Sequence, residues 1–252
     1  MTAPGLRSLL VVMDRAFDPI GVVMGAGTFQ IWRPTSCWGV GVKRAGEPLV
    51  YVSYEHALRD AWETVVARLE AEAVAAGAHG VLGVTVSQSW MGDGGSMLQV
   101  QLIGTAVRLH DRPALPRPFL STLSMDDFLK LLIGGWVPCG ITWAVSAVHV
   151  HGNDASPVMQ GAVWSNTEMD VPTAAVLLSR SLLEEQARAN LARCRGEGAV
   201  GVVLELQRRP QACGGNDGVL IDGLMLGTGV VRYRESVARP HLAANLTSGG
   251  LR

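Results

Sequence analysis

Two histidines are the residues best placed for chemistry. The stretch 143–151 reads Trp-Ala-Val-Ser-Ala-Val-His-Val-His, a pattern expected of a strand, and on a strand residues two apart point to the same face. His149 and His151 would then present two imidazoles side by side, a spacing at which they can share a Zn²⁺, Cu²⁺ or Ni²⁺ ion. Asp154 follows after a Gly-Asn turn. Two ligands do not complete a metal site, although a ring of subunits would supply the same pair from each copy around its axis. A solvent-facing strand edge that happens to carry two histidines is the simpler alternative.

Other candidates are weaker. His79 falls in a turn between a helix and a strand, where an exposed capping or solvated role is expected, and His56 falls on a helix surface. Cys139 lies in an apolar strand segment and reads as a small hydrophobe, or as a soft metal ligand if it lines a channel. No catalytic or cofactor-binding residue is assigned, because the chain has no Gly-x-Ser-x-Gly elbow, no His-Glu-x-x-His pair and no phosphate loop. Gly92-Asp93-Gly94-Gly95 joins two strands and opens no helix, so the dipole that a phosphate cradle uses is missing. Glu184 and Glu185 are adjacent on a helix, face different sides and cannot act as a general acid and base pair.

Those residues must be held by a globular framework. With 252 residues, 48% hydrophobic and 17% charged, the chain has the length of one large or two ordinary domains. The low charge, a mean hydropathy of +0.24 and 7 Trp point to more apolar surface than a small monomer buries, and hence to subunit contacts. Two well-filled cores are the alternative. A net charge of −1 without a Lys/Arg run argues against a nucleic-acid or anionic-membrane partner, and the pair Arg208-Arg209 is placed in a loop. Cys37, Cys139, Cys194 and Cys213 show no Cys-x-x-Cys spacing, which predicts free thiols in a reducing compartment. The apolar run 8–13 is too short for a signal-peptide core, and no segment reaches the roughly 18 apolar residues of a membrane helix, so a cytoplasmic location is expected.

The most informative stretch is 54–107. Leu58, Trp62, Val65 and Leu69 form one apolar stripe, while Glu55, Arg59, Asp60 and Glu63 fall on the predicted solvated face of the same helix. Gly77 ends the helix. Leu82, Val84 and Val86 then alternate with Gly83, Thr85 and Ser87, and Leu98, Val100 and Leu102 return as the second strand of a hairpin. A degraded copy lies at 173–230, where Gly196-Glu197-Gly198-Ala199-Val200 stands for Gly77-Ala78-His79-Gly80-Val81 and Gly227-Thr228-Gly229-Val230 for Gly104-Thr105-Ala106-Val107. Four extra residues are assigned to its hairpin loop, around 208–218, where an insertion costs least. Its helix stripe, Val176, Leu183, Ala187, Leu191 and Cys194, is interrupted by Arg180.

Each copy is preceded by a short helix and a first strand. Residues 8–16 and the segment after Ser124, with Asp127 at the third position, supply the helices. Residues 20–25 and 135–140 supply the strands, the second being at an edge or bent because Pro138 cannot donate to a ladder. Long excursions at 28–52 and 142–171 follow, carrying Trp32, Trp38, Trp143 and Trp164 as material for subunit interfaces. Residues 143–151 read as an additional strand within the second. Pro113, Pro116 and Pro118 mark a stiff linker, and 238–252 has no periodicity. The expected division is 1–112, 113–236 and a tail, 237–252.

At Tyr54-Glu55, 77–84 and 95–107 the chain resembles the YbjQ-like family, labelled "putative heavy-metal-binding proteins". The pattern Gly-Ala-x-x-Val-x-Gly-Val followed by Gly-Ser-Met-Leu-x-Val-x-x-x-Gly-Thr-Ala-Val is close in the first copy. It is partial in the second, where Gly218-Val219-Leu220-Ile221 replaces Gly95-Ser96-Met97-Leu98. The resemblance implies an α+β fold of two tandem β-α-β-β units, similar to the dodecin subunit, with extra short helices and strands. It further implies association into a ring, typically a homopentamer, and it brings no agreed set of metal ligands. A non-enzymatic ring that binds a metal or small ligand is therefore the first functional expectation. A purely structural assembly or interaction module without metal is the second, and an enzyme with a site between subunits the third.

Overall fold

The computed structural model describes residues 17–31, 47–92, 96–110, 117–151, 168–213 and 216–233. In chain order they form β1 (Phe17–Gln30), β2 (Leu49–Val50), α1 (Val52–Ala75), β3 (Gly80–Met91), β4 (Met97–Leu109), β5 (Phe119–Leu120), α2 (Met125–Ile133), β6 (Trp136–Val150), α3 (Asp170–Arg193), β7 (Gly198–Cys213) and β8 (Asn216–Arg232). The first sheet has the order β1-β4-β3-β5 and the second β2-β6-β8-β7. This is an α+β protein.

Both halves run strand, helix, hairpin, and in both the first strand pairs antiparallel with the last. The local irregularities coincide as well. The ladder shifts register between Pro19 and Gly21 in β1 and between Pro138 and Gly140 in β6, then between Leu82 and Thr85 in β3 and between Val200 and Val203 in β7. Gly83 and Gly201, with φ of 62° and 59°, occupy the left-handed position that the second pair of bulges requires. The helix α2 starts as its sequence predicts, with the Asp127 amide donating to Ser124 Oγ at 3.2 Å.

Several expectations are corrected. Residues 136–150 make one strand, bent at Pro138, instead of two strands separated by a break. The second hairpin is five residues longer than the first, against the four expected, since Gly198 pairs with Val230 where Gly80 pairs with Val107. The extra residues lengthen its arms, so that Cys213 pairs with Asn216, and Arg208 and Arg209 lie within β7 instead of in a loop. Phe119–Leu120, at the end of the proline-rich linker, adds a short parallel strand beside β3. The segments 8–16 and 237–252, and with them Trp32, Trp38, Cys37, Asp154 and Trp164, lie outside the described residues.

The principal core runs through both halves. Leu58, Val65 and Leu69 of α1 pack on the first sheet as the stripe predicts, while Trp62 stacks on Trp143 of β6 with ring centroids 5.8 Å apart. Trp143 thus anchors a contact within the chain, where the sequence reading assigned it to a subunit interface. The other face of the second sheet is covered by α3 through Ala175, Ser179 and Leu183, with Ser146 Oγ 2.7 Å from Ser179 Oγ. Cover between the halves runs one way. β6 is buried on both faces from Thr142 to Val150, whereas the corresponding outer face of the first sheet leaves Val22 72% and Met24 44% exposed.

Candidate functional site

The seam between the halves gathers most of the polar groups that are both buried and organised. Sheet register sets them out. Pairing of β7, β8 and β6 puts Arg209, Leu220 and His149 in one row across the second sheet and Gln207, Asp222 and Ala147 in the next. All of these face the first half. Arg209 Nη2 lies 2.8 Å from Asp222 Oδ2, and the guanidinium sits 4.1 Å above the Trp90 ring of β3, which itself stacks on Tyr54 of α1. A buried Arg–carboxylate pair of this kind fixes geometry more than it adds stability, because desolvation offsets much of the attraction.

Beside this pair a cavity of about 540 Å³ opens between β3 and the second sheet, within the size range of small-ligand sites. Its walls bring Gln88, Glu205, Gln207 and Asp222 next to Val203 and Leu226. Trp62 Nε1 donates to Gln88 Oε1 at 3.1 Å, which holds one wall to α1. The lining offers hydrogen-bond donors and acceptors and contains neither a histidine nor a cysteine.

Glu55 lies on the same seam and is 6% exposed, where the helix pattern placed it in solvent. The difference has a physical cause: one amphipathic stripe records the contact of α1 with its own sheet, while the second half covers an adjoining flank. Glu55 Oε1 accepts from Arg59 at 2.8 Å and from Gln186 of α3 at 2.7 Å. Burial raises its carboxyl above the usual range, and the neighbouring Arg59 opposes this. Ser121 and Thr122 meet Thr228 across the same boundary, and Arg193 of α3 reaches Glu63 of α1 at 3.3 Å.

The predicted metal pair is brought together at the far end of β6. The rings of His149 and His151 lie 4.9 Å apart, edge to face. His149 is fully buried and stacks on Tyr51 at 5.1 Å, and burial raises the Tyr51 hydroxyl above its ordinary pKa. Among the described residues no group of three or more His, Cys, Asp or Glu side chains gathers as a metal site would require. His79 departs from expectation. It is 1% exposed, and its Nδ1 accepts from the Leu109 amide at 2.8 Å, which ties the end of the hairpin to the helix turn. His56 is exposed as predicted.

Cys139 and Cys194 are also corrected: their sulfurs are joined, with Cα atoms 5.6 Å apart, instead of standing as free thiols. The two are 55 residues apart in the chain, and only the packing of α3 along β6 brings the start of the strand to the end of the helix. Arg208 and Arg209 carried no signal for a site, because a basic pair in an assumed loop gives no hint of the partner strand that supplies Asp222. No helix among the described residues is long and apolar enough to cross a membrane.

The family described as "Putative heavy-metal-binding" matches residues 50–110, which hold α1, β3 and β4 of the first half. The chain is 30% identical over 202 residues to the encapsulin nanocompartment protein Rv1762c of Mycobacterium tuberculosis, an alignment that covers 78% of this chain and 74% of that relative. The segment matched by the family model is the one that carries the hairpin signature, and by that match residues 50–110 of this chain belong to the YbjQ-like family.

Proposed function

We propose that this chain is a non-enzymatic, cytoplasmic assembly subunit that closes into a cyclic homo-oligomer, with its second half a degenerate copy of the family's unit. The observation that carries the reading is the one-way cover between two equivalent sheets. One outer sheet face is buried against the neighbouring unit and its twin is bare, so the surface that completes the first sheet has to come from elsewhere. The name of the mycobacterial relative, a nanocompartment protein, supports an assembly role as well. The pentamer implied by the family resemblance is the favoured size. Light scattering behind a sizing column tests it: a species near five times 26.7 kDa is expected, and a single monomeric peak at micromolar concentration would overturn the reading.

A second reading concerns ligand binding. The closeness of the His149 and His151 rings supports a shared divalent transition metal, Zn²⁺, Cu²⁺ or Ni²⁺, with further ligands supplied by other copies. Metal analysis of the purified, untagged protein should find stoichiometric metal that disappears in the double variant His149→Ala/His151→Ala while the assembly mass is retained. Equal metal content in the variant and the parent would exclude the pair.

A further inference from the structure

The contact between the two halves is head to tail among the described residues: the outer face of the second sheet lies on a flank of α1 and along β3, while α3 reaches the first half through side chains of α1, Gln186 to Glu55 and Arg193 to Glu63. Such an interface leaves one unmatched half at each end of the chain. We infer that these two halves meet between copies, the outer face of the first sheet of one molecule seating on the α3 flank and β7 of the next. The inference rests on the assembly reading and specifies which surfaces make it.

The first surface is defined by register. Met24, Ile103 and Thr85 form one row across the first sheet, at the places that Trp143, Leu226 and Val203 occupy in the second. Every outward position of β1, β4 and β3 from Val22 to Gln30, Met97 to Thr105 and Thr85 to Met91 is uncharged. An antiparallel sheet face turned permanently to water ordinarily carries charge. This one instead exposes Val22, Met24, Met91, Met97 and Ile103.

The second surface is the counterpart of the flank already in use. Both long helices have 24 residues, and the eighth position is Arg59 in α1 and Leu177 in α3. Arg59 is held at the seam by Glu55, whereas Leu177 is 60% exposed. In the hairpins, Leu204 pairs with Met225 as Val86 pairs with Leu102. Val86 packs against the core at the seam, while Val202 and Leu204 are 47% and 40% exposed. The two surfaces therefore hold most of the large apolar side chains that the described residues leave in solvent, and each is the repeat-equivalent of a surface buried within the chain. The occupant of each is the other surface on a second copy.

Complementation tests the pairing. One variant carries Met24→Glu and Ile103→Glu, the other Leu177→Glu and Leu204→Glu; all four positions are exposed, so circular dichroism and the melting transition should match the parent. Each variant alone should run as a monomer, and their equimolar mixture should give a 1:1 dimer and nothing larger, because only one intact pair of surfaces remains. Ile133→Glu, at a 73% exposed position outside both surfaces, should keep the parent mass. If the parent is oligomeric and either double variant stays so, the surfaces are misassigned while the assembly reading stands. If only the sheet variant dissociates, the contact is sheet on sheet and the inference fails. A monomeric parent removes both.

Discussion

Glu55 shows what a single side chain reports about the seam. Its carboxyl is raised above the ordinary value of 4.5 because burial disfavours the charged form. The folded protein therefore holds this proton more tightly than the unfolded chain does. Its contribution to stability is greatest at low pH and is lost as the pH climbs from about 4.5 through the raised folded value. In Glu55→Gln that dependence disappears. Measured against the variant, the melting temperature of the parent should decline across that window and then level off; a difference that stays constant with pH would show that Glu55 titrates as it does in the unfolded chain. His79 and Arg209 make a related point. Their surroundings come from Leu109 and Asp222, residues remote in sequence, so neither the burial of the one nor the ion pair of the other is visible in the local pattern.

Among the elements, α1 and most of the first hairpin were readable because their signals are local: a helical stripe, an alternation, and a glycine at the helix end. The bulge at Gly83 was not, and it sends Leu82 into a different apolar cluster from Val84 and Val86. β6 was misread as two pieces because Pro138 and Gly140 resemble a break, whereas the ladder absorbs them as a register shift. The approach of helix to sheet is likewise settled by a single residue. A methyl group on Gly25 would stand 2.7 Å from the Leu69 amide nitrogen and closer still to the Val65 carbonyl. Gly25→Ala must push α1 off the first sheet, and overpacking of this kind costs about 1–3 kcal/mol. Urea unfolding should show that loss, while Gly198→Ala, with open space at the added carbon, should shift the midpoint little. Ala144 takes the equivalent place in the second half, where Gly223, facing Ser179 and Leu183, marks the close approach instead.

At the scale of the whole molecule, the likeness of the two halves in element order was legible and their asymmetry was not. The repeated glycine signatures announced two similar units, but nothing in them indicated that the second sheet would be covered on both faces and the first on one. That outcome depends on residues that differ between the copies at matched positions, Trp143 against Met24 and Leu226 against Ile103. Trp143, the larger partner of its pair, belongs to the sheet that is covered within the chain, whereas Leu226 and Ile103 are equal in size and differ only in branching.

The short connection from β4 to β5 gives that internal seam a further property. Two surfaces held on one chain by a brief linker meet at an effective concentration of about millimolar, whatever the concentration of the protein. The Trp62–Trp143 contact therefore does not respond to dilution. Any contact between separate copies does, so an assembly of this chain would shed material two units at a time, and every closed form of it would contain an even number of units.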